Sequence, residues 1–170
     1  MDVRHAYVDS PVGRLLVVAG DNALIGLYFP GYRYTPRPSA WGRRADTSAD
    51  PVLAQARSEL DEYFAGKRQV FDVAAATNGD EFQEQVWAQL RQIPYGARIT
   101  YGDIAVELGS KGFAQSVGQS VGRNPVSIVI PCHRVVGAGG KLTGFGGGLE
   151  RKQLLLDLEE PVETRAGRLF

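Results

Sequence analysis

The sequence predicts an α/β chain (α+β in arrangement): an N-terminal antiparallel sheet with one helix, then a mainly helical half. Residues 3–29 alternate β-branched or aromatic runs with turn signals, and from residue 51 apolar residues recur at helical spacing. With 170 residues and 44% apolar content, the chain can bury a core as one domain or two small lobes.

The segment "HAYVDSPVGRLLVVAGDNALIGLYF" has turns at Asp9–Gly13 and Gly20–Asn22, the pattern of a meander. The stretch from Pro30 to Asp50 is rich in Pro, Gly, Arg and Ser and lacks periodicity, so it is expected to be a loop or mobile crossover. Asp50-Pro51 supplies an N-cap followed by proline at the first helical position, and Leu53, Ala56, Leu60 and Phe64 form the stripe of a helix that Gly66 ends. "QVFDV" then reads as a short strand. Ala74 to Gly79 reads as a linker, so the expected division is residues 1–78, residues 79–160 and a tail at 161–170.

The second half opens with a capping box at Asp80–Gln83. The stripe Phe82, Val86, Leu90, Ile93 follows and stops at Pro94-Tyr95-Gly96. Thr100–Asp103 starts another helix, through Ile104 and Leu108 to Gly109. A third runs from Phe113 to about Gly122 with Phe113, Val117 and Val121 inward. Two short helices joined by "GSKG" make a helix-turn-helix candidate. Ser127–Ile130 reads as an apolar strand, Gly137–Gly148 is glycine-rich, and Leu149–Glu159 is a last helix with Leu154, Leu155, Leu156 and Leu158 toward the core.

Lys plus Arg and Asp plus Glu each number 19, so the whole-chain positive charge of many nucleic-acid binders is missing. Between residues 98 and 134, however, Arg98, Lys111, Arg123 and Arg134 stand against only Asp103 and Glu107, enough for a small basic surface. A single cysteine forms no internal disulfide, the N-terminus lacks an export signal, and no run of about 18 apolar residues occurs. The expected compartment is a reducing cytoplasm, with no membrane partner.

The one cysteine, Cys132, lies in "IPCHRV". Lone cysteines are mostly small buried hydrophobes. Here Pro131 stiffens the chain just before the thiol, and His133 and Arg134 follow it, residues that favour the reactive thiolate. His5 and His133 are too far apart in sequence from each other, and His5 from Cys132, for ligand-type spacing, so no metal is expected. A cysteine hydrolase uses a Cys–His pair, and Asn124 or a carboxylate could orient the histidine. Direct neighbours in an extended chain nevertheless point apart.

"FQEQVWAQLRQIPYGARITYGDIA" and "VGQSVGRNPVSIVIPCHRVVGAGGKLTGFGGGLERKQLLLDLE" resemble the O6-alkylguanine-DNA alkyltransferase family, also called methylated-DNA–protein-cysteine methyltransferases. "DSPVGRLLVV" and "ELDEYFAG" are similar to the family's first domain, so the resemblance spans about residues 3–160. It implies a ribonuclease H-like N-terminal part and a winged helix-turn-helix-like C-terminal part. It also implies direct-reversal DNA repair: irreversible, single-turnover transfer of a methyl or larger alkyl group from O6-alkylguanine, and by extension O4-alkylthymine, to Cys132. No cofactor is implied.

Carried over residue by residue, the resemblance makes His133 the base that takes the thiol proton through a water molecule. Glu159 becomes its carboxylate partner, Asn124 the brace of the active-site turn, and Tyr101 the donor that assists base rotation and departure of the guanine oxygen. On spacing alone, Glu159 reads as a solvated last-turn carboxylate. A base must leave the stack to reach such a pocket. The implied partner is double-stranded DNA bound by a monomer through the minor groove with little sequence preference. Contacts are implied for Gly102, Ser110, Gln115, Ser116 and Arg123, aided by the small residues Ala114, Ser116, Gly118 and Ser120. The pocket is implied to be lined by Val121, Val135, Phe145, Gly146 and Gly147.

The sequence departs from the family pattern at Gln115, where an arginine is usual, and this implies weaker duplex binding. Phe145 replaces a tyrosine, and Gly146 stands where serine is common. Two other readings are transfer from a non-duplex alkyl donor and a helix-turn-helix protein that binds alkylated DNA without reacting.

Overall fold

The computed structural model describes residues 1–161; past Pro161, the tail set apart at 161–170 lies outside the described residues. The predicted meander is present. β1 (Val3–Val8), β2 (Leu15–Gly20) and β3 (Ala23–Tyr28) pair antiparallel in the order β3-β2-β1. β2 is buried on both faces. Leu15, Val17 and Ala19 join the main core, while Leu16 and Val18 meet Tyr28 and Tyr32 in a smaller apolar cluster that Trp41 also covers.

The segment 30–50 is a loop for most of its length, as expected, but one packed against the sheet. Its aromatic residues cap the outer face of the sheet, and it contributes a two-residue strand, β4 (Arg43–Arg44), parallel to β1. Gly42 permits that pairing. It has φ +68°, and a side chain there would run into the Val3 backbone.

α1 (Pro51–Phe64) begins where the sequence placed it. Asp50 Oδ1 accepts from the Val52 and Leu53 amides, both at 3.0 Å, and the same carboxylate forms a buried ion pair with Arg4 of β1. The cap thus fastens the helix to the sheet. "QVFDV" is not a strand: the Asp72 and Val73 amides donate to Glu59 Oε1 of α1, at 2.8 and 3.0 Å, instead of to a neighbouring strand.

The outer edge of β3 is closed by chain from elsewhere. The Leu24 amide donates to Ala74 O and the Ala76 amide to Leu24 O, both at 2.8 Å. Further along, the Leu27 amide donates to Pro125 O at 2.9 Å and the Ser127 amide to Leu27 O at 3.2 Å. The same edge therefore holds the segment read as a linker and the loop that leads to Cys132.

The C-terminal half contains α2 (Glu81–Arg91), with the predicted Asp80–Gln83 capping box, and α3 (Tyr101–Glu107), capped by Thr100. α4 (Ala114–Gly122) and α5 (Leu149–Glu159) follow. A short parallel ladder joins β5 (Ile99–Thr100) to β6 (Val135–Val136). Trp87 of α2 is buried, and its indole N–H donates to Ser120 O of α4 at 2.8 Å, locking the helix pair to α2.

Two inward assignments and one outward one need correction. Phe113 is exposed because it precedes α4 and lies edge-on against Phe82, and Leu154 faces outward while Leu155 and Leu156 are buried. Ser120 is buried and so cannot belong to an exposed small-residue face with Ser116. Ser127–Ile130 is no strand either. Hydrogen bonds from Val129 N–H to Ser127 O (2.8 Å) and from Ile130 N–H to Val126 O (2.9 Å) curl it into a tight turn, with Ile128 at φ +71°.

Asp50→Ala removes a helix cap and strands the buried Arg4 guanidinium, so it should cost at least about 3 kcal/mol. Asp50→Asn keeps an acceptor for the cap and should fall between alanine and wild type. Urea midpoints of the three proteins, at equal slope, measure the order.

Candidate active site

The Ile128 turn is held from one side by Asn124. Its Nδ2 donates to Ile130 O at 2.8 Å, and its Oδ1 accepts from the Val126 amide at 3.0 Å. A β-branched residue at positive φ costs on the order of 1–3 kcal/mol, and these bonds are what hold it there. Cys132–Arg134 then form a single 3₁₀ turn, closed by the Arg134 amide on Pro131 O at 3.1 Å. The thiol is thus mounted on a turn rather than at a strand end. Its residue is 5% exposed.

Behind the turn lies Glu159. It is 2% exposed, not the solvated carboxylate that its place in the last helical turn suggests. Oε2 accepts from His133 Nε2 at 2.7 Å, Tyr63 Oη at 2.5 Å and Arg134 Nη2 at 3.0 Å, while Oε1 accepts from Arg134 Nε at 2.7 Å. Burial pushes the carboxyl pKa up, but the bonds from His133 and Arg134 outweigh it and hold the group at about 2. Arg134 also donates to Ile93 O at 2.6 Å and is buried, so it does not contribute to the basic surface expected between residues 98 and 134.

An ionised carboxylate can only accept, which puts the His133 proton on Nε2 and leaves Nδ1 with its lone pair. Nδ1 is buried and has no hydrogen-bond partner among the described residues. Burial lowers the His133 pKa, Glu159 opposes this, and the net direction is down, so the ring is a neutral base near pH 7. Burial also raises the Cys132 pKa, while side-chain bonds from Asn124 and Ser127 and the charge of Lys152 draw it back; the net direction is up, and the resting thiol keeps its proton.

Lys152 is the residue that sequence reading missed. It lies in α5 and is fully buried, with Nζ donating to Thr143 O at 3.2 Å. Nζ lies 5.8 Å from the Tyr101 ring centre and 5.7 Å from that of Phe145. Burial lowers its pKa to about 8 against the raising effect of Cys132. The available signal was positional: Lys152 falls on the same inward stripe as Leu155, Leu156 and Glu159.

Tyr101 stands at the first turn of α3, and its hydroxyl donates to Thr143 O and Gly144 O, each at 3.2 Å. Its pKa is raised, by burial first and then by the Cys132 charge. Cys132, His133, Asn124, Glu159, Tyr101 and Phe145 therefore lie around one locus. Val121 and Val135 are buried in the apolar cluster that includes Cys132.

Gln115, Ser116, Ser110 and Arg123 are exposed on or beside α4, and Gly102 is half-buried at the start of α3. Ser110 Oγ accepts from the Gly112 amide at 3.1 Å as a local cap. The Arg123 guanidinium lies 4.2 Å from the ring centre of Tyr34, in the N-terminal lobe.

Fold and site together define a mixed α/β protein with a helix pair on its surface and, beneath it, one buried thiol served by a neutral imidazole and a saturated carboxylate. The model of the 6-O-methylguanine DNA methyltransferase ribonuclease-like domain matches residues 3–76, and that of the DNA binding domain matches residues 81–161. The chain belongs to the 6-O-methylguanine DNA methyltransferase family.

Among relatives, it is 45% identical to the methylated-DNA–protein-cysteine methyltransferase of Mycolicibacterium paratuberculosis, over 99% of each chain. It is 39% identical to that of Haemophilus influenzae, over 92% of this chain and 86% of the relative. Among solved structures, Mycobacterium tuberculosis OGT in complex with DNA superposes with TM-score 0.84 at 41% identity, covering 92% of both chains. The M. tuberculosis O6-methylguanine methyltransferase matches with TM-score 0.80 at 39% identity, over 96% of this chain and 98% of that one.

Glu159 stabilises the fold through a carboxyl pKa held below its ordinary value. That contribution is complete above about pH 4.5 and is lost as pH falls toward about 2. The lowered His133 pKa works in the same sense. Below about pH 6.5 the unfolded chain takes up a proton that the folded ring resists. Glu159→Gln should cost about 3–5 kcal/mol at pH 7 by stranding Arg134, and its urea midpoint should fall less steeply than that of wild type between pH 4 and 2. Urea titrations across this range test both.

Proposed function

We propose that this chain repairs DNA by direct reversal, taking the alkyl group of an O6-alkylguanine onto Cys132 in a single irreversible turnover. The observation that carries the reading is the buried Nδ1 of His133, a lone pair without a hydrogen-bond partner among the described residues on the residue that follows the protonated Cys132, with the opposite ring nitrogen bonded to an ionised Glu159. The names of the relatives support the same chemistry, and the M. tuberculosis protein solved with DNA supports the partner.

In the proposed reaction the thiol proton passes to His133 Nδ1 through a water molecule. The thiolate then attacks the alkyl carbon in line, forming S–C as C–O6 breaks, and the electron pair goes to the guanine. The proton held on His133 is returned to the base, so thiol and O6-alkylguanine become thioether and guanine. Lys152 stabilises the thiolate in a site of low dielectric, where one positive charge counts for far more than in water. Tyr101 donates to the departing base once its bonds to Thr143 and Gly144 are released.

Duplex binding is assigned to α4, with Gln115, Ser116 and Arg123 outward and Ser110 and Gly102 beside it. The partner is the minor groove, met by a monomer in the cytoplasm, without metal or cofactor. The boundary near residue 78 is proposed as the limit between the sheet lobe and the DNA-binding half. No helix among the described residues is long and apolar enough to cross a membrane.

Incubation with an oligonucleotide containing O6-methylguanine should raise the intact mass by one methyl group, and Cys132→Ala should abolish the gain. Tight binding with unchanged mass would replace this reading with that of a non-reacting module. Neither binding nor transfer would favour a small-molecule alkyl donor, a reading motivated by Gln115.

A second expectation concerns Lys152. Depressing a lysine pKa to about 8 costs stability on the order of 3 kcal/mol, so Lys152→Met should raise the urea midpoint. The same change should slow methyl transfer at pH 7.5 by about tenfold or more, the equivalent of one pKa unit in the thiol, with partial recovery at higher pH. Single-turnover rates across pH measure it.

A further inference from the structure

We propose that Tyr32, supplied by the N-terminal lobe, is a wall of the alkyl pocket and sets the size of the group that Cys132 accepts. This inference rests on the alkyl-transfer reading above and adds to it a residue outside the DNA-binding half.

Tyr32 is 7% exposed, and its ring lies directly against Gly146, so that a Cβ at residue 146 would fall within 2.7 Å of ring carbon Cδ2. Its neighbour Phe29 occupies the corresponding space at Gly147, within 2.6 Å of a Cβ built there, and packs edge-on against Phe145 at 5.5 Å. The glycine pair of the active-site loop is therefore matched to two aromatic rings from the N-terminal lobe. The volume absent from residues 146 and 147 is filled by residues 29 and 32.

Tyr32 is also fixed in place. Its hydroxyl donates to Gly122 O at the end of α4, its ring stacks on Tyr28 at 5.9 Å, and its amide donates to Phe29 O at 3.2 Å. A ring held rigidly against Gly146 limits how far the glycine-rich loop can yield, which leaves room for a small alkyl group on the thiol and obstructs a large one.

The test compares single-turnover transfer to the full-length protein from oligonucleotides carrying O6-methylguanine and O6-benzylguanine. Tyr32→Ala, and Tyr32→Leu as the variant that keeps apolar volume in the Leu16–Val18–Tyr28 cluster, should raise the benzyl-to-methyl rate ratio by about tenfold or more. Tyr32→Phe should leave the ratio near that of wild type. Gly146→Ser should slow both reactions in wild type and be tolerated in the Tyr32→Ala background, a non-additive pair.

Variants that fold by urea midpoint yet leave the ratio unmoved, or slow both substrates equally, overturn the proposal while the alkyl-transfer reading stands. A wild-type protein that accepts no methyl group overturns that reading, and this one with it.

Discussion

Glu159 accepts four hydrogen bonds, one from His133, two from Arg134 and one from Tyr63, in a site almost closed to water, and the rest of the molecule is arranged to keep that carboxylate charged. The donors come from separate parts of the chain. Tyr63 belongs to α1 of the N-terminal lobe, Arg134 is anchored on the carbonyl of Ile93 just after α2, and His133 follows the thiol itself. A carboxylate buried with fewer partners would take up a proton, and His133 would then be free to adopt the other tautomer. Saturation is thus a condition for the base as well as for stability. It also explains why α1 matters to chemistry that takes place in the other half.

The second constraint is the edge of β3. Two separate stretches, around Ala75 and around Val126, add to the same strand. The second of these leads into the turn where Ile128 is held at positive φ by Asn124, and so to Cys132. Strain at Ile128 is tolerated because both ends of the turn are bonded, one to the sheet and one to a side chain. The thiol position is consequently set by the N-terminal sheet at a distance, and the helix pair that carries the proposed DNA surface is tied to it through Trp87 and Ser120.

Much of this was legible in the sequence. The meander, α1 with its Asp50 cap and α2 with its capping box rest on local signals that tertiary structure had no reason to override. The errors fall where a backbone finds a partner that sequence spacing does not reveal. "QVFDV" has strand composition, but its amides meet Glu59, and Ser127–Ile130 is apolar yet bent by Asn124. Charged residues misled for a related reason. Arg134, Glu159 and Lys152 all look like surface residues by type, and only the three-dimensional pairing that makes their burial tolerable shows otherwise. The cysteine and its neighbours were legible through resemblance, whereas Lys152 and Tyr32 offered no motif.

The raised pKa of Cys132 bears on how a one-use acceptor must work. A thiolate is the better nucleophile, yet it reacts with any electrophile that reaches it, and for a protein consumed by one reaction each such event is a loss. Burying the thiol keeps it protonated at rest. A neutral imidazole on the next residue and a buried ammonium whose charge lowers the thiol pKa keep ionisation within reach. Selectivity in this arrangement comes from energetics as well as shape: the resting state withholds the nucleophile, and the same burial that withholds it makes Lys152 effective once the proton has moved.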